Sequence, residues 1–242
     1  MGRVPDAHTV GTAHHEGVTD ATDPLPDVAD LIVAGRDREA ADLGARLHAD
    51  HHLATRPLSG GSMDPLTQFD LLGPVLGGVV ANLTPDQLDR PTPCAQYDVR
   101  GVLEHMIGGA TAFAAAYRGA APTVPDTTDP LAAFGPALGD LGAAVNEPGA
   151  LERTVAAPFG EVSGDTFARF VVLDGLVHGW DMAMASGQAY EPPDELVAAV
   201  DEFAHGVLDD LRDGDTFADA VEPGADATPI ERLAAYTGRR PM

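Results

Sequence analysis

The run Gly164–Ser186, entered through Ser163 and left through Gly187, constrains this chain more than any other segment. Its apolar residues spread around nearly the whole helical circumference, the pattern of a central helix packed on several sides. Ser163 supplies an N-cap, and Gly187 supplies a stop. Beyond Asp165 and Arg169 in its first turns, three ionisable residues interrupt the run: Asp174, His178 and Asp181. Bare charges are costly in such surroundings unless they are paired or metal-bound. Asp174 and His178 are four residues apart and share one helical face, one turn apart. Asp181 follows on that face.

Other amphipathic segments supply the partners such a helix needs. Over residues 66 to 83, Leu66, Phe69, Leu72, Leu76, Val79, Val80 and Leu83 recur at three/four spacing. Pro74 inside this pattern predicts a kink. Asp98 is an N-cap for a second helix reaching Tyr117, with Val102, Leu103, Met106, Ile107, Ala110 and Phe113 on its stripe. Residues 130 to 146 and 193 to 211 repeat the helical period. Residues 151 to 162 are punctuated by Pro and Gly and read as a brief extended excursion, with no convincing sheet. The chain reads as an all-α bundle followed by a polar, Gly-rich tail.

Residues 1–62 stand apart. They hold six of the nine histidines (His8, His14, His15, His48, His51 and His52) and no Phe, Trp or Tyr. A weak helical pattern runs over residues 27 to 53, and the segment closes on Ser59, Gly60, Gly61 and Ser62, a linker composition. The expectation is a low-complexity, poorly structured leader at 1–62 ahead of a helical domain at 63–242, with the scattered histidines incidental. Met63 reads like a natural domain start, so a mis-assigned translation start is one expectation for the leader.

Charge narrows the partners. The chain has 38 acidic and 14 basic residues, a net of −24. Such a surface repels nucleic-acid backbones and anionic membranes, which leaves a small-molecule substrate as the expected partner. All 14 basic residues are arginine, so neither a Schiff-base lysine nor a Walker A lysine is available. The single cysteine, Cys94, rules out an intrachain disulfide and a multi-cysteine zinc site. It fits a reducing cytoplasm, the expected location, since the sequence carries neither a spanning apolar run nor a secretory signal pattern.

His105 borders the stripe of the second helix. Facing Asp174 and His178, it completes two histidines and one carboxylate, a ligand set of catalytic zinc sites with a fourth position open. Spacing alone also fits a buried histidine hydrogen-bonded to a neighbour. Asp181 reads as an acceptor for the other ring N–H of a metal-bound histidine. It could also replace Asp174 as the ligand, or be a capped or solvent-facing carboxylate near the helix end. Trp180 and Tyr97 are core aromatics or pocket walls. Cys94 precedes the His105 helix, whose positive end would favour thiolate, yet a lone cysteine is ordinarily a small buried hydrophobe. Arg100 and Arg169 are candidates to anchor a substrate carboxylate, or simply salt-bridge partners. His205 reads as a surface residue.

Three blocks then carry a family resemblance. The first is Pro91-Thr92-Pro93-Cys94 with Asp98-Val99-Arg100 and Leu103-Glu104-His105. The second is Val177-His178-Gly179-Trp180-Asp181-Met182-Ala183 followed by Gly187, and the third is Arg232-Leu233-Ala234 with Gly238-Arg239 and Pro241. In this order they resemble the actinobacterial DinB-like metal-binding proteins related to the N-terminal domain of mycothiol-dependent maleylpyruvate isomerase. The resemblance covers residues 63–242. It implies a DinB-like four-helix bundle with an extra C-terminal helix or tail, holding a divalent metal, commonly zinc, through two histidines and a carboxylate. Carried across by motif, those ligands are His105, Asp174 and His178. The isomerase has Glu at the carboxylate place, so Asp174 is one methylene shorter, and Tyr97 stands where the family usually has Trp.

The resemblance also implies a chemistry. Zinc with an open position lowers the pKa of a bound water or holds a small thiol as its thiolate. In the related isomerase, thiol addition to a cis double bond permits rotation, and elimination gives the trans isomer. The expectation here is a mycothiol-dependent isomerase or S-transferase acting on a small electrophile, with the thiol supplied from outside. The alternatives are a thiol-independent hydrolase or cyclase of secondary metabolism and a non-catalytic metal-binding protein.

Overall fold

The computed structural model describes residues 63–157, 160–212 and 218–240. The leader 1–62, with its histidines and weak helical pattern, and Pro241 of the closing block lie outside the described residues. The architecture is almost wholly helical: α1 (Pro65–Ala81), a short 3-10 turn (Pro85–Gln87), α2 (Val99–Arg118), α3 (Pro130–Val145), a hairpin of β1 (Thr154–Ala157) and β2 (Gly160–Ser163), then α4 (Gly164–Ser186), α5 (Asp194–Leu211) and α6 (Pro229–Tyr236).

Local chemistry sets most of these boundaries. Asp64, Asp98, Asp129, Ser163 and Thr228 each accept a hydrogen bond from the backbone N–H three residues on, capping α1, α2, α3, α4 and α6. Such caps contribute about 1 kcal/mol each. Pro65, Pro130 and Pro229 occupy the first turns, where a missing N–H costs nothing. Helices α2 and α4 end on left-handed glycines, Gly119 at φ 64° and Gly187 at φ 74°. Helix α1 runs unbroken across Pro74, and α3 across Pro136. Pro74 is exposed, so the helical hydrogen bond it denies to the carbonyl of Asp70 is lost on the outer face of α1 and not in the core.

Helices α1 to α4 form a four-helix bundle in which α2 packs on α3, α1 packs on α4, and the two pairs close on each other. Helix α4 is central, with 18 of its 23 residues buried, and α5 and α6 cover its remaining side. Glycines on α4 allow α1 to approach closely. A Cβ at Gly179 would stand 2.7 Å from Leu76 and collide with the Tyr190 hydroxyl, which donates to the Leu176 carbonyl at 2.9 Å. Trp180 is 2% exposed and belongs to the core, where losing such a ring costs about 3–5 kcal/mol.

The extended excursion expected over residues 151 to 162 is a two-stranded hairpin in an otherwise helical architecture. Strands β1 and β2 pair antiparallel, with Thr154 opposite Ser163 and Val155 opposite Val162. At four residues each, the strands are too short for their alternation to stand out in the sequence. The hairpin leads directly into α4, because its last residue, Ser163, is the α4 cap. Among the described residues, no helix is long and apolar enough to cross a membrane.

Candidate metal centre

Two helices and two loops build the centre. His105 comes from the middle of α2 and Asp174 and His178 from the middle of α4, while Tyr97 precedes α2 and Arg239 follows α6. Nε2 of His105 and Nε2 of His178 each lie 3.5 Å from the same oxygen, Oδ1 of Asp174. The histidine side chains are 2% and 0% exposed, whereas Asp174 keeps 22% exposure. One nitrogen from each ring and one carboxylate oxygen fall within 4.8 Å of one another, a grouping able to hold a metal ion.

The spacing suits an ion better than it suits direct hydrogen bonds. N–H···O bonds cluster near 2.9–3.0 Å, so 3.5 Å is long for two of them converging on one oxygen. Ligand atoms about 2.0–2.2 Å from a tetrahedral zinc lie about 3.3–3.6 Å apart, which brackets both distances. The donor set fits as well: two imidazole nitrogens and one carboxylate oxygen, with room for a fourth ligand.

Behind this triad stands a second layer. Nδ1 of His178 is 3.0 Å from Oδ2 of Asp181, and both side chains are fully buried. That burial removes the solvent-facing reading of Asp181. With the carboxylate accepting, Nδ1 carries the proton and Nε2 turns its lone pair toward His105 and Asp174. Nε of Arg239 lies 3.5 Å from the same Asp181 oxygen, and Oδ1 of Asp181 makes no hydrogen bond among the described residues. Arg239 reaches this point because Gly238, at φ 90°, turns the chain past α6 and lets the Arg239 N–H donate to the Ala234 carbonyl at 3.0 Å. The Tyr97 ring leans on His105, with centroids 5.2 Å apart, and sits edge-on to His178 at 6.3 Å. It walls the cluster.

Other sequence candidates fall elsewhere. Arg100 pairs with Glu104 at 3.8 Å, and Arg169 pairs with Asp165 at 2.9 Å and donates to the Met63 carbonyl. Both follow the salt-bridge reading. The arginine brought to the cluster is Arg239, which the sequence showed only as part of the closing block, 58 residues from Asp181. His205 is exposed and stacks on Tyr236, with centroids 3.8 Å apart. Cys94 is buried beside His178 and Asp181, a second grouping of potential ligands. Burial pushes its thiol pKa up, outweighing the opposing pull of Arg239 and His178, which agrees with the reading of Cys94 as a small buried hydrophobe. A cation at this second grouping would also face the Arg239 guanidinium, an electrostatic conflict that the His105, Asp174 and His178 set avoids.

Comparison with known proteins now places the chain. The sequence model of the mycothiol maleylpyruvate isomerase N-terminal domain matches residues 72–183. An uncharacterized protein of Mycobacterium tuberculosis, found in two strains, is 33% identical over 184 residues, covering 73% of this chain and 98% of the relative. The chain belongs to the mycothiol maleylpyruvate isomerase N-terminal domain family. No solved structure gives a significant match. The stretch matched to the mycothiol maleylpyruvate isomerase N-terminal domain runs from within α1 to within α4 and contains His105, Asp174, His178 and Asp181. Arg239 lies beyond it.

Proposed function

We propose that the protein binds a divalent metal, zinc by preference, through His105, Asp174 and His178, and uses it with an external thiol, mycothiol, to isomerise or S-conjugate a small electrophile. The observation that carries this reading is the pair of imidazole Nε2 atoms, each 3.5 Å from one Asp174 oxygen, in a chain of this family. When bound, such an ion activates a thiol or water taken into its open position.

The protein's own residues do the rest. Asp181 fixes the tautomer of His178, Arg239 balances the buried Asp181 charge, and Tyr97 covers His105. Cys94 belongs to the His178 and Asp181 grouping and not to that of Asp174, and burial disfavours its thiolate. The nucleophile therefore comes from outside. Asp174, the partly exposed member of the triad, marks the side from which thiol and substrate approach.

The test is turnover of a panel of small α,β-unsaturated carbonyl compounds by metal-loaded protein, with and without mycothiol. Turnover that requires mycothiol and disappears in His178→Ala is the expected result. Equal turnover without any thiol would make the protein a thiol-independent enzyme. No turnover under either condition would leave a non-catalytic metal-binding protein.

A further inference from the structure

An apolar cavity of about 300 Å³ opens between α1, α2, α3 and α4. Phe69, Leu76, Met106, Phe113, Phe134 and Leu141 form its walls, and Asp174 reaches it from the triad. A volume of this order lies at the lower end for small-molecule sites. Glycines help to keep it open: a Cβ placed on Gly77 of α1 or Gly142 of α3 would meet no atom within 4 Å.

Among the described residues, the ionisable groups lining this cavity are Asp70 and Asp174, and the lining holds no arginine or histidine. A substrate carboxylate would sit in this apolar cavity beside two like charges, without a cationic partner among the described residues. The net charge of −24 adds a long-range field of the same sign. At the triad, Asp174 and a metal-held thiolate would together offset a divalent charge, leaving no surplus to attract an anion. The charge and the apolar character of the lining both select against the anionic substrates that an arginine-lined site would take.

We infer that this cavity binds the electrophile, and that the electrophile is an uncharged, largely apolar small molecule. The inference rests on the proposed function only in taking the triad as the reacting end; the cavity's selectivity stands on its own lining.

A matched pair of dyes tests it on the full-length protein: N-phenyl-1-naphthylamine, which is neutral, and 8-anilino-1-naphthalenesulfonate, which carries the same ring system with a sulfonate. Fluorescence titration should give one saturable site for the neutral dye, with a Kd at least about tenfold below that of the sulfonate. Gly77→Leu and Gly142→Leu should each weaken the neutral dye about tenfold or more. Leu is the better helix former at both positions, so folding is favoured in each variant. Metal content, measured on the same samples, should not change. Absence of saturable binding, equal affinity for the two dyes, or indifference to both substitutions would overturn the inference while leaving the metal reading intact. Selective dye binding by protein that takes up no metal would support the cavity and sink the proposed function instead.

Discussion

Nδ1 of His178 and Oδ2 of Asp181 lie 3.0 Å apart inside α4, with neither side chain exposed to solvent. The contact commits the imidazole to one tautomer and gives Asp174 and Asp181 different work, although seven residues on one helix separate them. Asp174→Asn removes charge from the ligand set, whereas Asp181→Asn changes only what orients a ligand. Asp174→Asn should weaken metal binding more, since outer-layer changes cost about 10- to 100-fold in affinity. Asp174→Glu retains the charge and should lie nearer the wild type than Asn does. Chelator competition at fixed pH ranks the three. If Asp181→Asn is the most damaging, Asp181 is itself the ligand.

Arg239 contributes from outside the stretch matched to the family. Removing one partner of a buried ion pair costs about 3–5 kcal/mol; the 3.5 Å separation and the 15% exposure of Arg239 put Arg239→Gln at about the lower bound. The variant should unfold at lower denaturant concentration and bind metal more weakly, at unchanged stoichiometry. An unchanged midpoint together with unchanged affinity would mean that Arg239 does not support Asp181.

Cys94 is buried and its thiol pKa is raised. Iodoacetamide at neutral pH should therefore label the native protein far more slowly than the denatured chain, which mass spectrometry reads directly. Rapid native labelling would restore Cys94 as a candidate nucleophile and weaken the case for an external thiol.

The entry to α1 carries a pH signature. Asp64 accepts hydrogen bonds from the Thr67 hydroxyl and backbone N–H, which hold its carboxyl below the ordinary range. Its folded pKa is depressed, so this stabilisation is present above the unfolded value and lost as pH falls through the folded one. Asp64→Ala should cost about 1 kcal/mol at neutral pH. The gap between variant and wild type should narrow as denaturation is repeated below the usual carboxylate range. A gap independent of pH would show that the charged cap contributes nothing.

What the sequence disclosed is what local physics encodes. The caps Asp98 and Ser163, the stop at Gly187 and the all-round burial of α4 each depend on neighbours within a turn or two. The same holds for the i,i+4 pairing of Asp174 with His178. The extended excursion over 151 to 162 was legible, but its pairing into a hairpin was not, because four-residue strands carry too little alternation. Arg239 was hidden for another reason: only the turn at Gly238 and the packing of α6 on α4 bring it to a carboxylate 58 residues earlier. Gly77 and Gly142 help to keep the cavity open, and a helical stripe does not register an absent side chain.

The most direct test of the central claim is elemental analysis of purified wild type, His105→Ala and His178→Ala. Two histidines on separate helices converging on Asp174 predict about one equivalent of divalent metal in the wild type and almost none in either variant, with helical content retained by circular dichroism. Metal content that is the same in all three proteins would contradict the assignment.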